Sequence, residues 1–158
     1  MLNIETFRSV VKHTPLVSID ICAVCNQQML LGKRNFEPLK DRWFTPGGRI
    51  FKNESFRESL ARITRSELGF NFDDFGGFKL MGVWDHFYDN SFVDKNISTH
   101  YVNLPHYYRF SEKPILFSDR QHNDLAWFDL NEITEDEEFH EYTKAYASWL
   151  INADIQND

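Results

Sequence analysis

The sequence predicts a mixed α/β fold, a mixed sheet with helices packed against it, and three stretches carry that prediction. Residues 17–25 alternate with the two-residue period of a strand: Val17, Ile19, Ile21, Ala23 and Cys25 face one way, and Ser18, Asp20 and Cys22 the other. Between residues 53 and 69, Phe56, Leu60, Ile63 and Leu68 recur at helical spacing, and Gly69 supplies a left-handed stop. From Glu141 to Asn152 a second helical stripe turns Tyr142, Ala145, Tyr146 and Trp149 inward.

The remaining elements follow in order. Residues 4–12 form a short helix capped by Asn3, with Ile4, Phe7, Val10 and Val11 on one side and Pro15 beyond its end. After the strand at 17–25, "NQQ" is a turn and Met29–Leu31 returns as a second strand. The stretch from Gly32 to Arg42 is polar and contains proline, hence a loop. The next helix starts near Asn53 or Glu54. Its Glu58 and Arg62, four apart, can pair on the exposed face for about 0.2–0.5 kcal/mol. Residues 77–88 and 99–110 are strand-like and aromatic, separated by the polar loop "DNSFVDKNIS". Leu125–Phe128 is a short strand. No internal repeat or linker interrupts the 158 residues, so a single domain over 1–158 is expected.

Composition narrows the function. A net charge of −7 argues against nonspecific DNA or RNA binding. Lys33, Arg34, Lys40, Arg42 and Arg49 nevertheless gather within one short stretch, which suits a local pocket for a small anion. Aromatic residues make up 16% of the chain, which fits either a phenylalanine-rich core or rings that stack on a flat ligand. The lack of a signal peptide or an 18-residue apolar run leads to the expectation of a soluble, cytoplasmic protein without a membrane partner. Cys22 and Cys25 have opposite parity on a strand and no second pair to complete a zinc site, so they read as small core residues.

The chemistry concentrates at residues 45–70. Gly47 and Gly48 permit close backbone approach ahead of the helix, and Glu67 lies near the helix end. An exposed carbonyl and one carboxylate suit Mg²⁺, which takes one or two carboxylates together with water and substrate phosphates. A glycine turn before an ordinary helix, with Glu67 in solvent, explains the same spacing.

Gly48, Glu54, Arg62, Glu67 and Gly69, followed by apolar Phe70, match the spacing of the Nudix box, GxxxxxE(x7)RExxEExG. Ile63 and Ser66 stand where the box carries acids that help bind metals for attack on phosphorus, so ordinary pyrophosphate cleavage is in doubt. The chain resembles the GDP-mannose mannosyl hydrolases, a Nudix subgroup with this kind of altered box. The resemblance runs through "TPLVSID" (14–20), "LLGKR" (30–34), "WFTPGGR" (43–49), "GVWDHFYD" (82–89), "THYV" (99–102) and "QHND" (121–124). It implies a Nudix α/β/α sandwich, a homodimer, and a small-molecule nucleotide sugar as the partner. The implied reaction is hydrolysis of GDP-mannose, or also GDP-glucose, to GDP and free hexose by water attack at C1 with inversion. One Mg²⁺ per subunit, replaceable by Mn²⁺, is implied on the Gly47 carbonyl, Glu67 and Gln121. The resemblance further assigns Arg34 and Arg49 to the diphosphate, His122 to general base, Asp20 to the developing charge on the sugar, and Tyr101 to the leaving phosphate. It also points Leu2 and Phe7 at guanine, across a dimer.

Each assignment has a plainer rival. His122 is one of six histidines, Arg34 fits a solvated loop, Phe7 fits a core, Glu54 fits a helix cap, and Asp20 fits a structural hydrogen bond. His86 and His100 read as sugar-edge or structural residues, and Asn123 receives no catalytic role. Two other functions compete: a Nudix pyrophosphohydrolase cutting P–O, and a catalytically silent nucleotide-sugar sensor. The missing acids argue against the first. Retention of Gln121, His122, Arg34 and Arg49 together argues against the second.

Overall fold

Strand β1, Leu16–Cys25, is the spine of the molecule, and nine of its ten residues are buried. A computed structural model describes residues 2–69, 75–116 and 124–157. Along its first half β1 pairs antiparallel with β4 (Gly47–Arg49) and parallel with β7 (Thr99–Asn103). Along its second half it pairs antiparallel with β2 (Gln28–Lys33) and parallel with β8 (His106–Arg109). Both strand directions meet on one strand, which is the mixed sheet the alternation predicted. β3 (Trp43–Phe44) and β9 (Leu125–Asp129) extend the sheet from β2, β5 (Lys79–Leu80) pairs β8, and β6 (Trp84–Tyr88) pairs β7 antiparallel.

The parity of β1 divides the core in two. Ile19, Ile21 and Ala23 pack with Leu30 against Leu60, Ile63 and Leu68 of α2 (Phe56–Leu68). Cys22 and Val24 face the other way, toward Leu130 and Ile133 of α3 (Leu130–Glu135) and Tyr146, Ala147 and Leu150 of α4 (Glu141–Asn157). Full burial of each large aliphatic side chain is worth about 1.5–3 kcal/mol, so each face of the sheet binds its helices firmly. The outcome is an α/β/α sandwich. Cys22 and Cys25 are buried free thiols, as their parity suggested.

α1 (Ile4–His13) starts where Asn3 caps it, the Asn3 side chain accepting from the Thr6 N–H. Three local readings need correction. The expected helix start at Asn53 or Glu54 moves to Phe56, because Ser55 and Glu58 form a reciprocal capping box. Glu58 is thereby committed to Ser55, so the expected Glu58–Arg62 pair does not form. Arg62 instead reaches back to Glu54, at 2.6 and 2.9 Å. α3 was not expected; Asp129 caps it directly after β9, leaving no loop to announce it. No helix of the described residues is long and apolar enough to cross a membrane.

Candidate active site

Register, added to parity, gathers one cluster. Residues directly opposite in paired strands share a face. Asp20 lies opposite Gly47 and Ser18 opposite both Arg49 and Asn103, while Leu16 lies opposite Tyr101. Tyr101 in turn lies opposite His86, and Trp84 opposite Asn103. Asp20, Arg49, Asn103, Tyr101, His86 and Tyr88 therefore all project to the α4 side of the sheet. The sequence singled out Asp20, Arg49 and Tyr101; their convergence is a product of strand pairing.

Gly47 and Gly48 are needed for different reasons. A Cβ at Gly47 would collide with the Asp20 carboxylate, whereas one at Gly48 would press on the Ile63 side chain at 3.2 Å. The Ile21 N–H bonds the Pro46 carbonyl and the Ile50 N–H bonds the Val17 carbonyl. Gly47 lies between these in the alternation, so its backbone polar groups point away from β1. The Arg49 carbonyl points the same way and accepts from Arg62 of α2 at 2.7 Å. The Gly47 carbonyl is thus turned off the sheet, and Glu67 is a carboxylate on α2 that is only 9% exposed. These are hard oxygen donors of the kind Mg²⁺ takes. Ile63, at a box position that carries an acid elsewhere, is core: 1% exposed and packed over Gly48. Ser66 donates its hydroxyl to the Ile63 carbonyl. Among the described residues no three His, Cys, Asp or Glu side chains gather as a metal cluster.

Asp20 is 7% exposed. Its Oδ2 accepts from Asn103 Nδ2 at 2.6 Å and from the Tyr146 hydroxyl at 2.7 Å. Burial pushes its carboxyl up to about 6, against the opposing effect of Tyr146, Asn103 and the charge of Arg34. Arg34 leaves β2 into a loop closed by its own backbone, its N–H bonding the Arg42 carbonyl and its carbonyl accepting from Asp41. Its charge favours the ionised forms of Asp20, Tyr88 and Tyr101. Its Nε is buried and has no hydrogen-bond partner among the described residues. A buried N–H of a cation left without an acceptor is costly, and an anion brought there would relieve that cost.

Arg49 is half-buried, its guanidinium carbon 3.9 Å from the centre of the Phe7 ring, a cation–π contact that joins α1 to β4. Phe7 is therefore packed against Arg49, whereas Leu2 is 54% exposed. Tyr101 has its hydroxyl pushed up by burial and pulled down by Arg34 and Arg49. His86, 1% exposed, stacks on Tyr142 at 4.0 Å and is held neutral, burial lowering it to about 4. It is thus part of the wall. His100 is partly exposed on the opposite face, paired with Asp85 at 3.0 Å. Glu54 accepts from Arg62, Ser59 and the Phe51 N–H; it ties the Gly48 loop to α2 and does not merely cap a helix. Gln121, His122 and Asn123 lie outside the described residues.

Sequence reading missed Asn103 and Tyr146 as partners of Asp20, and Tyr88 as a second tyrosine, after Tyr101, under the charge of Arg34. A signal for Tyr146 existed: an acid on a strand facing the core needs buried donors, and Tyr146 is a polar-tipped member of the inward stripe of α4.

A glycine loop feeding a capped helix with a buried glutamate, set against a mixed sheet between helices, defines a Nudix fold. The model of the NUDIX domain matches residues 14–150, and the chain belongs to the Nudix hydrolase family. It is 33% identical over 146 residues to the low-salt glycan biosynthesis protein Agl8 of Haloferax volcanii, covering 92% of this chain and 88% of that protein. Among solved structures, the MutT NUDIX hydrolase of Burkholderia pseudomallei superimposes with a TM-score of 0.68 at 23% identity, covering 87% of this chain and 98% of that one. The NUDIX domain of Shewanella oneidensis NrtR, solved with ADP ribose, gives a TM-score of 0.68 at 14% identity, covering 97% and 99%.

Proposed function

We propose that the protein hydrolyses GDP-mannose, with GDP-glucose as a second substrate, to GDP and free hexose by attack of water at sugar C1 with inversion. The observation that carries this reading is Ile63. The box position that would bring a second acid toward the metal is part of the hydrophobic core, so α2 offers Glu67 alone at that end. Chemistry at the sugar carbon needs less metal than chemistry at phosphorus, provided cations hold the departing diphosphate and an anion faces the sugar. Arg34 and Arg49 are such cations, and Asp20 is such an anion on the same face of the sheet. The name of the Haloferax relative, a glycan biosynthesis protein, is in keeping with a nucleotide-sugar substrate.

In this reading the guanidinium of Arg34 takes a diphosphate oxygen on its Nε, and Arg49 a second, each fork keeping its charge throughout. Phe7 braces Arg49 from behind and borders the guanine with Leu2. Tyr101 donates its hydroxyl to the leaving phosphate. Asp20 faces the positive charge that builds on the ring, and inversion follows from direct attack without a glycosyl-enzyme intermediate. His122 takes the proton of water. The Gly47 carbonyl, Glu67 and Gln121 would hold Mg²⁺, with Mn²⁺ as a substitute; bound there it would neutralise charge on the diphosphate. The whole chain, 1–158, acts as one domain and as a homodimer in the cytoplasm.

Turnover in ¹⁸O-labelled water tests the reading. Label in mannose supports it. Label in GMP or in a sugar phosphate assigns the chain to the pyrophosphohydrolases, and saturable binding without turnover makes it a sensor.

A further inference from the structure

We infer that Asn103 and Tyr146 are positioning residues for Asp20, closing with His86 a hydrogen-bonded ring on one carboxylate oxygen and leaving the other turned to Gly47. The inference rests on the reading of Asp20 as the group that faces the sugar.

The ring is four side chains from four elements. Asn103 Nδ2 donates one hydrogen to Asp20 Oδ2 at 2.6 Å and lies 3.2 Å from His86 Nδ1. Tyr146 donates its hydroxyl to the same Asp20 oxygen at 2.7 Å and lies 3.3 Å from His86 Nε2. One proton arrangement satisfies all four contacts. The second Asn103 hydrogen goes to an unprotonated Nδ1, and the Nε2–H of neutral His86 donates to the tyrosine oxygen. Turning the amide over would set Asn103 Oδ1 against the carboxylate, so Asp20 itself fixes the amide orientation. Asn103 Oδ1 is in consequence buried without a partner among the described residues. That cost is tolerated in the interior, which is consistent with both amide hydrogens being needed elsewhere.

The arrangement is asymmetric about the carboxylate. Both donors grip Oδ2, while Oδ1 occupies the space where a Cβ of residue 47 would stand. Asp20 is thereby presented beside the Gly47 backbone, on the face that carries Arg49 and Tyr101. Tyr146 is fully buried and Asn103 is 2% exposed, so neither meets the substrate; they act through Asp20. Tyr142 lies outside the ring: its face stacks on His86, but its hydroxyl binds the β6 backbone at Phe87 and makes no hydrogen bond to the ring.

Steady-state kinetics on GDP-mannose with Mg²⁺, with products identified, separate the possibilities for the full chain and its variants Tyr146→Phe, Asn103→Leu and Tyr142→Phe. Tyr146→Phe nearly conserves volume and Asn103→Leu keeps the branched shape with a bulkier tip; if Asn103→Leu does not fold, Asn103→Ser takes its place. The expected result is a fall of about 10–100-fold in kcat for Tyr146→Phe and Asn103→Leu with KM unchanged within about twofold, the signature of a misplaced group that does not bind substrate. Tyr142→Phe removes a hydroxyl from the same helix and keeps kcat. Ring variants that fold and turn over at the wild-type rate overturn the inference, and so does an equal loss in Tyr142→Phe, which would trace the effect to helix packing. Release of GMP and hexose phosphate by the unmodified protein overturns the proposed function, and this inference with it, before any variant is read.

Discussion

Two carboxylates close to the glycine loop are handled in opposite ways. Glu54 meets a cation at once: Arg62 binds both of its oxygens, and Ser59 and the Phe51 N–H add two more donors. Its carboxyl is held down at about 2, chiefly by the hydrogen bond from Arg62. Asp20 is buried among neutral donors, and Arg34, the cation whose charge acts on it, has no hydrogen-bond partner for its Nε among the described residues. Its carboxyl is pushed up to about 6 by that burial. The first pair is complete without a ligand and serves structure. The second leaves a buried acid and a buried cation N–H incompletely matched among the described residues, at a cost in stability, the pattern expected where a ligand is to complete the site.

Asp20→Asn is the largest break in this comparison. An amide there can still accept from Asn103 and Tyr146 while losing its charge. Turnover should fall by about 10²–10³-fold, the usual worth of a group that stabilises charge in the transition state. Thermal stability above pH 6 should rise, because the buried charge is gone. Differential scanning calorimetry beside a product assay reads both, and a lower melting temperature in a folded variant would show that the charge supports the fold.

Glu54→Gln should do the reverse. It leaves the Arg62 guanidinium half-matched in a partly buried place, for a loss of about 1–3 kcal/mol, with kcat reduced only as far as the glycine loop shifts. Urea unfolding measures the first. A hundredfold loss of kcat at unchanged KM would move Glu54 into the chemistry and erase the contrast with Asp20.

The origin of these two carboxylates explains what the sequence could show. Asp20 was assigned to its face of β1 from alternation alone, and Gly69, Asn3 and the inward Tyr146 were equally legible, because they depend on neighbours a few residues away. The box itself located Glu54, Arg62 and Glu67. What spacing could not show is partnership. Glu58 looked like the mate of Arg62 by helical geometry, but Ser55 claims it through the capping box and Glu54 takes the arginine from outside the helix. The Asp20 ring joins β1, β6, β7 and α4 across up to 126 residues; it depends on register, which alternation leaves open. α3 escaped because Asp129 closes β9 and caps the helix in one residue.

pH sharpens the comparison further. Glu54 has a folded value below its ordinary 4.5, so its stabilisation is complete above that point and is lost as pH falls toward about 2. Asp20 has a folded value raised from 3.8 to about 6, so between those points the native state holds the extra proton and stability falls as pH rises. Melting temperature measured from pH 2 to pH 8 should therefore lose its low-pH decline in part in Glu54→Gln, and the decline between pH 4 and pH 6 in Asp20→Asn. Identical profiles for the two variants would mean that neither carboxylate behaves as its surroundings dictate.

The smallest expected effect concerns the cap that frees Arg62 for Glu54. Ser55 accepts from the Glu58 N–H at 3.3 Å, and Glu58 accepts from the Ser55 N–H at 2.7 Å. Ser55→Ala removes one half of the box and should cost about 0.5–2 kcal/mol. It also releases Glu58, which stands four residues before Arg62 and on its side of the helix. If Glu58 then competes for the arginine, Ser55→Ala and Glu54→Gln will not be independent. The double variant should lose less than the two single losses added, since Arg62 gains a second acid only where Ser55 is gone. Strict additivity in urea unfolding would show that Glu58 stays at the helix end without its serine, and that the Glu54–Arg62 pair is held by the glycine loop alone.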